Sequence, residues 1–141
     1  MELIKPQNKN QEKILEICNK IRKLYGCKSI DGLPKGVPKD PFRCPICKSI
    51  PSREEIYEDG EYLYAYAERD AEKIATVFKS KILGPKDEYY AVKVPSYVKE
   101  FWKKFDSESS HYKQLISDEP IIDYEQPPET WINLINNVEK V

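Results

Sequence analysis

Four cysteines, Cys18, Cys27, Cys44 and Cys47, are the side chains of this sequence best suited to chemistry. Zinc takes four sulfurs tetrahedrally at ~2.3 Å, and the C-x2-C pair of Cys44 and Cys47 has the usual knuckle spacing. The apolar pattern around Cys18, however, continues through Leu24 and Tyr25 as a helix. Cys18 and Cys27 would then lie about 13 Å apart at ~1.5 Å per residue. Two ligands of one tetrahedral metal need α-carbons within about 8 Å. Cys18 also falls on the apolar stripe, where free cysteine packs as a small hydrophobe. The expected zinc ligands are therefore Cys27, Cys44 and Cys47, with Cys18, a carboxylate or the single histidine, His111, as the fourth. The same thiols allow a disulfide from Cys27 to Cys44 or Cys47, or plain burial. A redox role is disfavoured: thioredoxin-like pairs follow a buried strand, and the residues before Cys44 are KDPFR.

The segment that leads into the cysteine pair, GLPKGVPKDPFRCPIC, is stiff as well as extended. Each proline pins its own φ and pushes the preceding residue out of the helical region, so ordering this loop costs less entropy than ordering an ordinary one. The expectation is a strap, its end fastened to the first helix by the cysteines through metal, disulfide or packing. Residues 32–50, GLPKGVPKDPFRCPICKSI, followed by VPSYVKEFWKKFD at 94–106, resemble a pattern in uncharacterised small proteins of actinobacteria and their phages. That pattern has a G-x-P-x-D-P-x-x-C-P-I-A core and a later P-x-x-V-x-x-F-x-x-x-F-D segment. The resemblance covers two blocks of the chain, and Cys47 stands where the pattern commonly has alanine. It implies no activity and no site residues.

A second group of chemically suggestive side chains is Tyr62, Tyr64 and Tyr66, which alternate on one strand face in the manner of a base-stacking platform. Glu54, Glu55, Glu58, Asp59 and Glu61 lie beside them and would repel phosphate. Lys13, Lys20, Lys23, Lys35, Lys39 and Arg43 are the candidate backbone contacts of a nucleic-acid reading. Residues 1–50 carry eleven Lys/Arg against five Asp/Glu, and residues 51–141 carry twelve against nineteen. One end is thus basic, holds every cysteine and faces an acidic remainder. The most acidic stretch, SDEPIIDYEQPPE at 117–129, is expected to lie against the basic third.

No catalytic set emerges. His111 beside two serines makes no triad, and Gly32 and Gly36 are interleaved with prolines and lack the Walker lysine pattern.

The elements that must position these groups follow from hydrophobic periodicity. Helices are expected over 9–25, 70–83, 96–106 and 128–140, with a hairpin over 54–67 turning at Asp59-Gly60 and a strand over 88–94. Asn8 or Asn10 would cap the first helix and Gly26 stop it; Asp70 would cap the second. Pro45 would open a short helix before Pro51. The strand–helix–strand order suggests a parallel pairing through a right-handed crossover. The fold class is α+β, a small sheet covered by helices in a single domain of 141 residues.

No apolar run reaches the ~20 residues of a membrane span, and the N-terminus lacks the apolar stretch of a signal peptide. An intracellular, cytoplasmic protein with thermophile-like composition is expected. The leading functional expectation is a small non-enzymatic interaction or regulatory module that binds a protein partner through the strap. A nucleic-acid-binding regulator using residues 1–50 is the alternative, and a metal-dependent enzyme the third reading.

Overall fold

The structure, a computed structural model, describes residues 2–107. In chain order its elements are β1 (Leu3–Ile4), α1 (Lys9–Leu24), β2 (Leu33–Pro34), α2 (Pro45–Ser49), β3 (Ile56–Glu58), β4 (Tyr62–Ala65), α3 (Glu68–Phe78), β5 (Ile82–Lys86), β6 (Tyr89–Lys93) and α4 (Ser96–Ser107). The expected α+β class holds. The expected helix at 128–140 and the acidic stretch at 117–129 lie outside the described residues.

Helix α1 begins where Asn8 Oδ1 accepts the Gln11 amide at 2.9 Å, a side-chain cap for one of the orphan donors of a helix start. It ends in a Schellman arrangement: the amides of Gly26 and Cys27 reach back to the carbonyls of Lys23 and Arg22 at 2.9 and 3.0 Å. Gly26 adopts φ +74, which glycine tolerates without a Cβ penalty. Between these ends Ile14, Ile17, Cys18 and Ile21 are buried on one stripe. Each isoleucine buried there stabilises the fold by about 1.5–3 kcal/mol relative to exposure.

The hairpin forms as expected, with Tyr57 opposite Tyr64 and Glu58 opposite Leu63. Asp59 shapes its turn by accepting the amides of Glu61 and Tyr62 at 2.9 and 2.8 Å. The four-stranded sheet runs β3-β4-β6-β5 and is antiparallel throughout. The expected parallel pairing is overturned, because the helix anticipated over 70–83 stops at Phe78. Lys79 turns left-handed there at φ 54, and Ile82–Lys86 becomes a strand that hairpins into β6. Ile82 lies four residues after Phe78 and reads as a further helical turn; pairing with β6 wins, since a short apolar run is ambiguous between the two periods. Strands β4 and β5 do run the same way, but β6 lies between them.

Asp70 is not the α3 cap either. The helix starts at Glu68 behind Ala67, whose side chain makes no cap, and the Asp70 carboxylate turns inward at 2% exposure. Leu63, Ala65 and Val92 of the sheet pack with Ala71 and Ile74 of α3, the α1 stripe and Val98, Phe101, Trp102 and Phe105 of α4 in one core. The pair β1–β2, absent from the sequence reading because each strand is two residues long, ties the N-terminus to the start of the strap: Leu3 opposes Pro34. Among the described residues no helix is long and apolar enough to cross a membrane.

Both edges of the larger sheet are interrupted. Strand β5 carries a bulge between Ile82 and Pro85, and the β3 amide of Glu58 is already taken by the Pro41 carbonyl at 3.1 Å.

Candidate interaction surface

The proline-rich strap is a closed loop. The Val37 amide bonds the Arg43 carbonyl at 2.8 Å, with Asp40 and Arg43 bonded inside it. Gly36 makes this neck possible: a Cβ there would sit 2.6 Å from both the Arg43 carbonyl oxygen and Pro45 Cδ. Lys48 Nζ donates to the Lys35 carbonyl at 2.7 Å, tying α2 to the loop's entry. Beside the neck, on its two arms, Val37 and Phe42 stay 42% and 46% exposed.

Cysteine packing is part of the strap's mooring to α1, with Cys18 in the place expected of Cys27. Cys44 caps α2, its Sγ accepting the Cys47 amide at 3.3 Å. Cys18 and Cys47 are buried next to it and interact with each other and with Cys44. Cys27 stands apart, half-exposed, with its thiol directed at the Tyr25 carbonyl. All four cysteines are unbridged. Burial pushes the Cys18 thiol up to about 12, offset in part by the Ser49 side chain. The Cys47 thiol is also raised, first by its hydrogen bond with Cys44 and then by burial. Thiols in this state are protonated and inert at neutral pH. Among the described residues no group of three or more His, Cys, Asp or Glu side chains is arranged to hold a metal ion, and His111 lies outside them.

Polar side chains of α1 add to the fastening. Asn19 makes a reciprocal pair with the backbone of Ile30, at 2.9 and 2.8 Å. Arg22 donates to the Lys28 carbonyl at 3.0 Å and the Ser49 carbonyl at 3.1 Å. Nothing in their residue types marked them. The one usable signal is that an asparagine in a helix interior is disfavoured unless its amide has work elsewhere.

Tyr62, Tyr64 and Tyr66 share the sheet face opposite the core, as their alternation implies. There they join Tyr57, Tyr89 and the strap's Phe42. Tyr57 is the hub: it stacks on Tyr64 at 4.7 Å and 10°, meets Tyr89 edge-on at 4.9 Å and packs against Phe42 at 5.2 Å. Tyr66 extends the row by an edge contact with Tyr89 at 5.6 Å. Such ring pairs contribute about 0.5–1.5 kcal/mol each beyond area burial. Sequence alternation found three of these six rings; Tyr57, Tyr89 and Phe42 come from other strands and the strap, and only the register brings them in.

Carboxylates border the rings. Tyr64 Oη donates to Asp59 Oδ2 at 2.7 Å, and the Tyr89 hydroxyl donates to Glu55. Burial and then Asp59 raise the Tyr64 hydroxyl. Burial opposes ionisation of Asp59, yet the Tyr62 amide, the Tyr64 hydroxyl and the Glu61 amide hold its carboxyl below the ordinary value. Beside it, an open cleft of about 290 Å³ is lined by Lys39, Pro41, Glu58, Asp59, Gly60 and Asp106. Burial pushes the Glu58 carboxyl up to about 7, Asp106 and Asp59 adding to it and the Gly60 amide opposing. The Lys39 amide closes the cleft's rim on Asp106 Oδ1 at 2.8 Å.

The basic candidates are dispersed. Lys13 lies 4.3 Å over the Tyr97 ring, and Lys20 pairs with Glu16 at 3.6 Å, both lining a cleft with Lys79 between α1 and the start of α4. Lys35 and Arg43 sit on the strap within 4.0 Å of Glu2 and 3.7 Å of Asp40. Lys23 is in the last turn of α1. Lys39 lines the cleft beside Asp59, whose carboxylate accepts the Tyr64 hydroxyl. Compared with models of protein families, with curated proteins and with solved structures, the chain matches none.

Proposed function

We propose that this chain is a small interaction module without catalysis of its own, which presents the closed loop of its strap to a protein partner. The observation that carries the reading is the pair of exposed apolar side chains, Val37 and Phe42, on a loop closed at its neck and packed onto Tyr57. A loop already ordered loses little entropy on docking, and an exposed aromatic on a rigid base is the usual form of an interface anchor. The aromatic row behind Phe42 widens the surface. The carboxylates beside that row disfavour phosphate, so the protein-partner reading is preferred to the nucleic-acid one.

The test is a photo-crosslinking residue placed at position 42 of the full chain in its native cells, with a control at the exposed Lys23. The expected result is a discrete adduct from position 42 and none from position 23. No adduct, or the same adducts from both sites, would overturn the reading.

A further inference from the structure

The outer face of the sheet is aromatic, yet its charges are wrong for a nucleic acid. The Tyr57 ring lies in the field of Asp59, Asp87 and Glu55. Glu61 is also present but is engaged with Lys99 at 3.2 Å. Two lysines share the face by register, Lys93 opposite Tyr62 and Lys86 opposite Tyr89, while two of the ring hydroxyls are held by carboxylates, Tyr64 by Asp59 and Tyr89 by Glu55. Ring faces are negative at their quadrupole and attract ammonium and guanidinium groups, the more so where carboxylates stand close. The described helices occupy the other side of the sheet, where Leu63, Ala65 and Val92 are buried with α1, α3 and α4. Tyr66, at the outer end of the row, is 47% exposed.

We infer that this face binds a lysine- or arginine-bearing peptide segment of the partner protein. The segment lies along the row from Phe42 to Tyr66, its methylene stems on the rings and its cations at Glu55, Asp59 and Asp87. The inference rests on the interaction-module reading and names the chemistry of that partner. The chain's own residues 108–141 are a poorer occupant by charge, having seven acids against two lysines.

The experiment uses the isotope-labelled full-length protein, titrated in turn with a short Gly-Lys repeat peptide, the matching Gly-Glu peptide and an oligothymidylate, followed by backbone amide resonances. The Gly-Lys peptide is expected to move Tyr57, Tyr66 and Tyr89 saturably, with binding that weakens as salt is raised. Tyr66→Ala and Asp87→Asn are each expected to weaken it by about threefold or more, with unfolding midpoints confirming that both variants fold. Asparagine suits position 87, whose φ is 59. No movement with Gly-Lys, equal movement with Gly-Glu, or saturable binding of oligothymidylate at these residues would overturn the inference. So would resonance changes in 108–141 on making Tyr66→Ala, which would mean that the chain covers its own face. If the position-42 adduct forms while the Gly-Lys peptide leaves the face unmoved, only the cationic assignment fails. If the adduct is absent as well, the module reading falls with it.

Discussion

The Tyr25 hydroxyl donates to Asp70 Oδ1 across 2.5 Å, and Ser52 Oγ donates to the other oxygen of the same carboxylate at 2.6 Å. One buried carboxylate thereby joins the end of α1, the loop after α2 and the first turn of α3. A negative charge in a helix's first turn also meets the positive end of the helix dipole.

Removing that carboxylate leaves two half-buried hydroxyls without their acceptor. Asp70→Ala is expected to cost about 3 kcal/mol, and Tyr25→Phe about 1–2 kcal/mol. Denaturant unfolding measures both. A loss within ~0.5 kcal/mol for Asp70→Ala, the range of an ordinary surface change, would show that the junction is not structural. Burial, and next Asp70, raise the Tyr25 hydroxyl above its ordinary 10.0. The protonated form is the one stabilised, so this contribution is complete below pH 10.0 and lost as pH climbs above it. Wild type should therefore fall more steeply than Tyr25→Phe in strong alkali.

Glu58 makes a second, separable pH dependence. It is 6% exposed, and its carboxyl is raised from 4.5 to about 7. The folded state binds the extra proton in that window, so stability is full below pH 4.5 and declines as pH rises through about 7. Glu58→Gln should flatten the slope between these values, with wild type losing about 2 kcal/mol more than the variant across it. Superimposable slopes for the two proteins would refute the assignment.

The strap's neck has no room for a methyl group. Gly36→Ala places a Cβ against the Arg43 carbonyl and Pro45 and is expected to cost about 1–3 kcal/mol. The readout is the unfolding midpoint together with protease cleavage in 37–43. An unchanged midpoint and an intact loop would mean that the neck is not closed in solution.

Thiol labelling should sort the cysteines by burial. A maleimide applied to the native protein is expected to modify Cys27 first, with Cys18, Cys44 and Cys47 reacting only on unfolding. Intact-mass analysis before and after denaturation would reveal a different order, and fast labelling of Cys44 or Cys47 would contradict their packing.

How much of this was legible beforehand depended on whether neighbours in sequence stayed neighbours in space. The stripes of α1 and α4 are readable because Ile14, Ile17, Ile21 and then Val98, Phe101, Trp102, Phe105 repeat at helical spacing. The Asp59-Gly60 turn declares the hairpin. Strand β5 does not declare itself, since Ile82 continues the helical spacing of Phe78 and only pairing with Tyr89–Val92 decides otherwise. Asp70 reads as a cap from composition alone, because its two partners are 45 and 18 residues away in sequence. The tyrosine row is half legible for the same reason: alternation along β4 is local, whereas Phe42, Tyr57 and Tyr89 reach it through register and the strap.

The bulged β5 and the occupied Glu58 amide have a bearing on self-association. Pro85 has no N–H to offer, and the shifted register bends β5 away from a straight ladder. At the opposite margin the Pro41 carbonyl already fills the place a foreign strand would claim. Among the described residues, the two margins of the larger sheet are thus poor templates along which copies of this protein could stitch into a fibril.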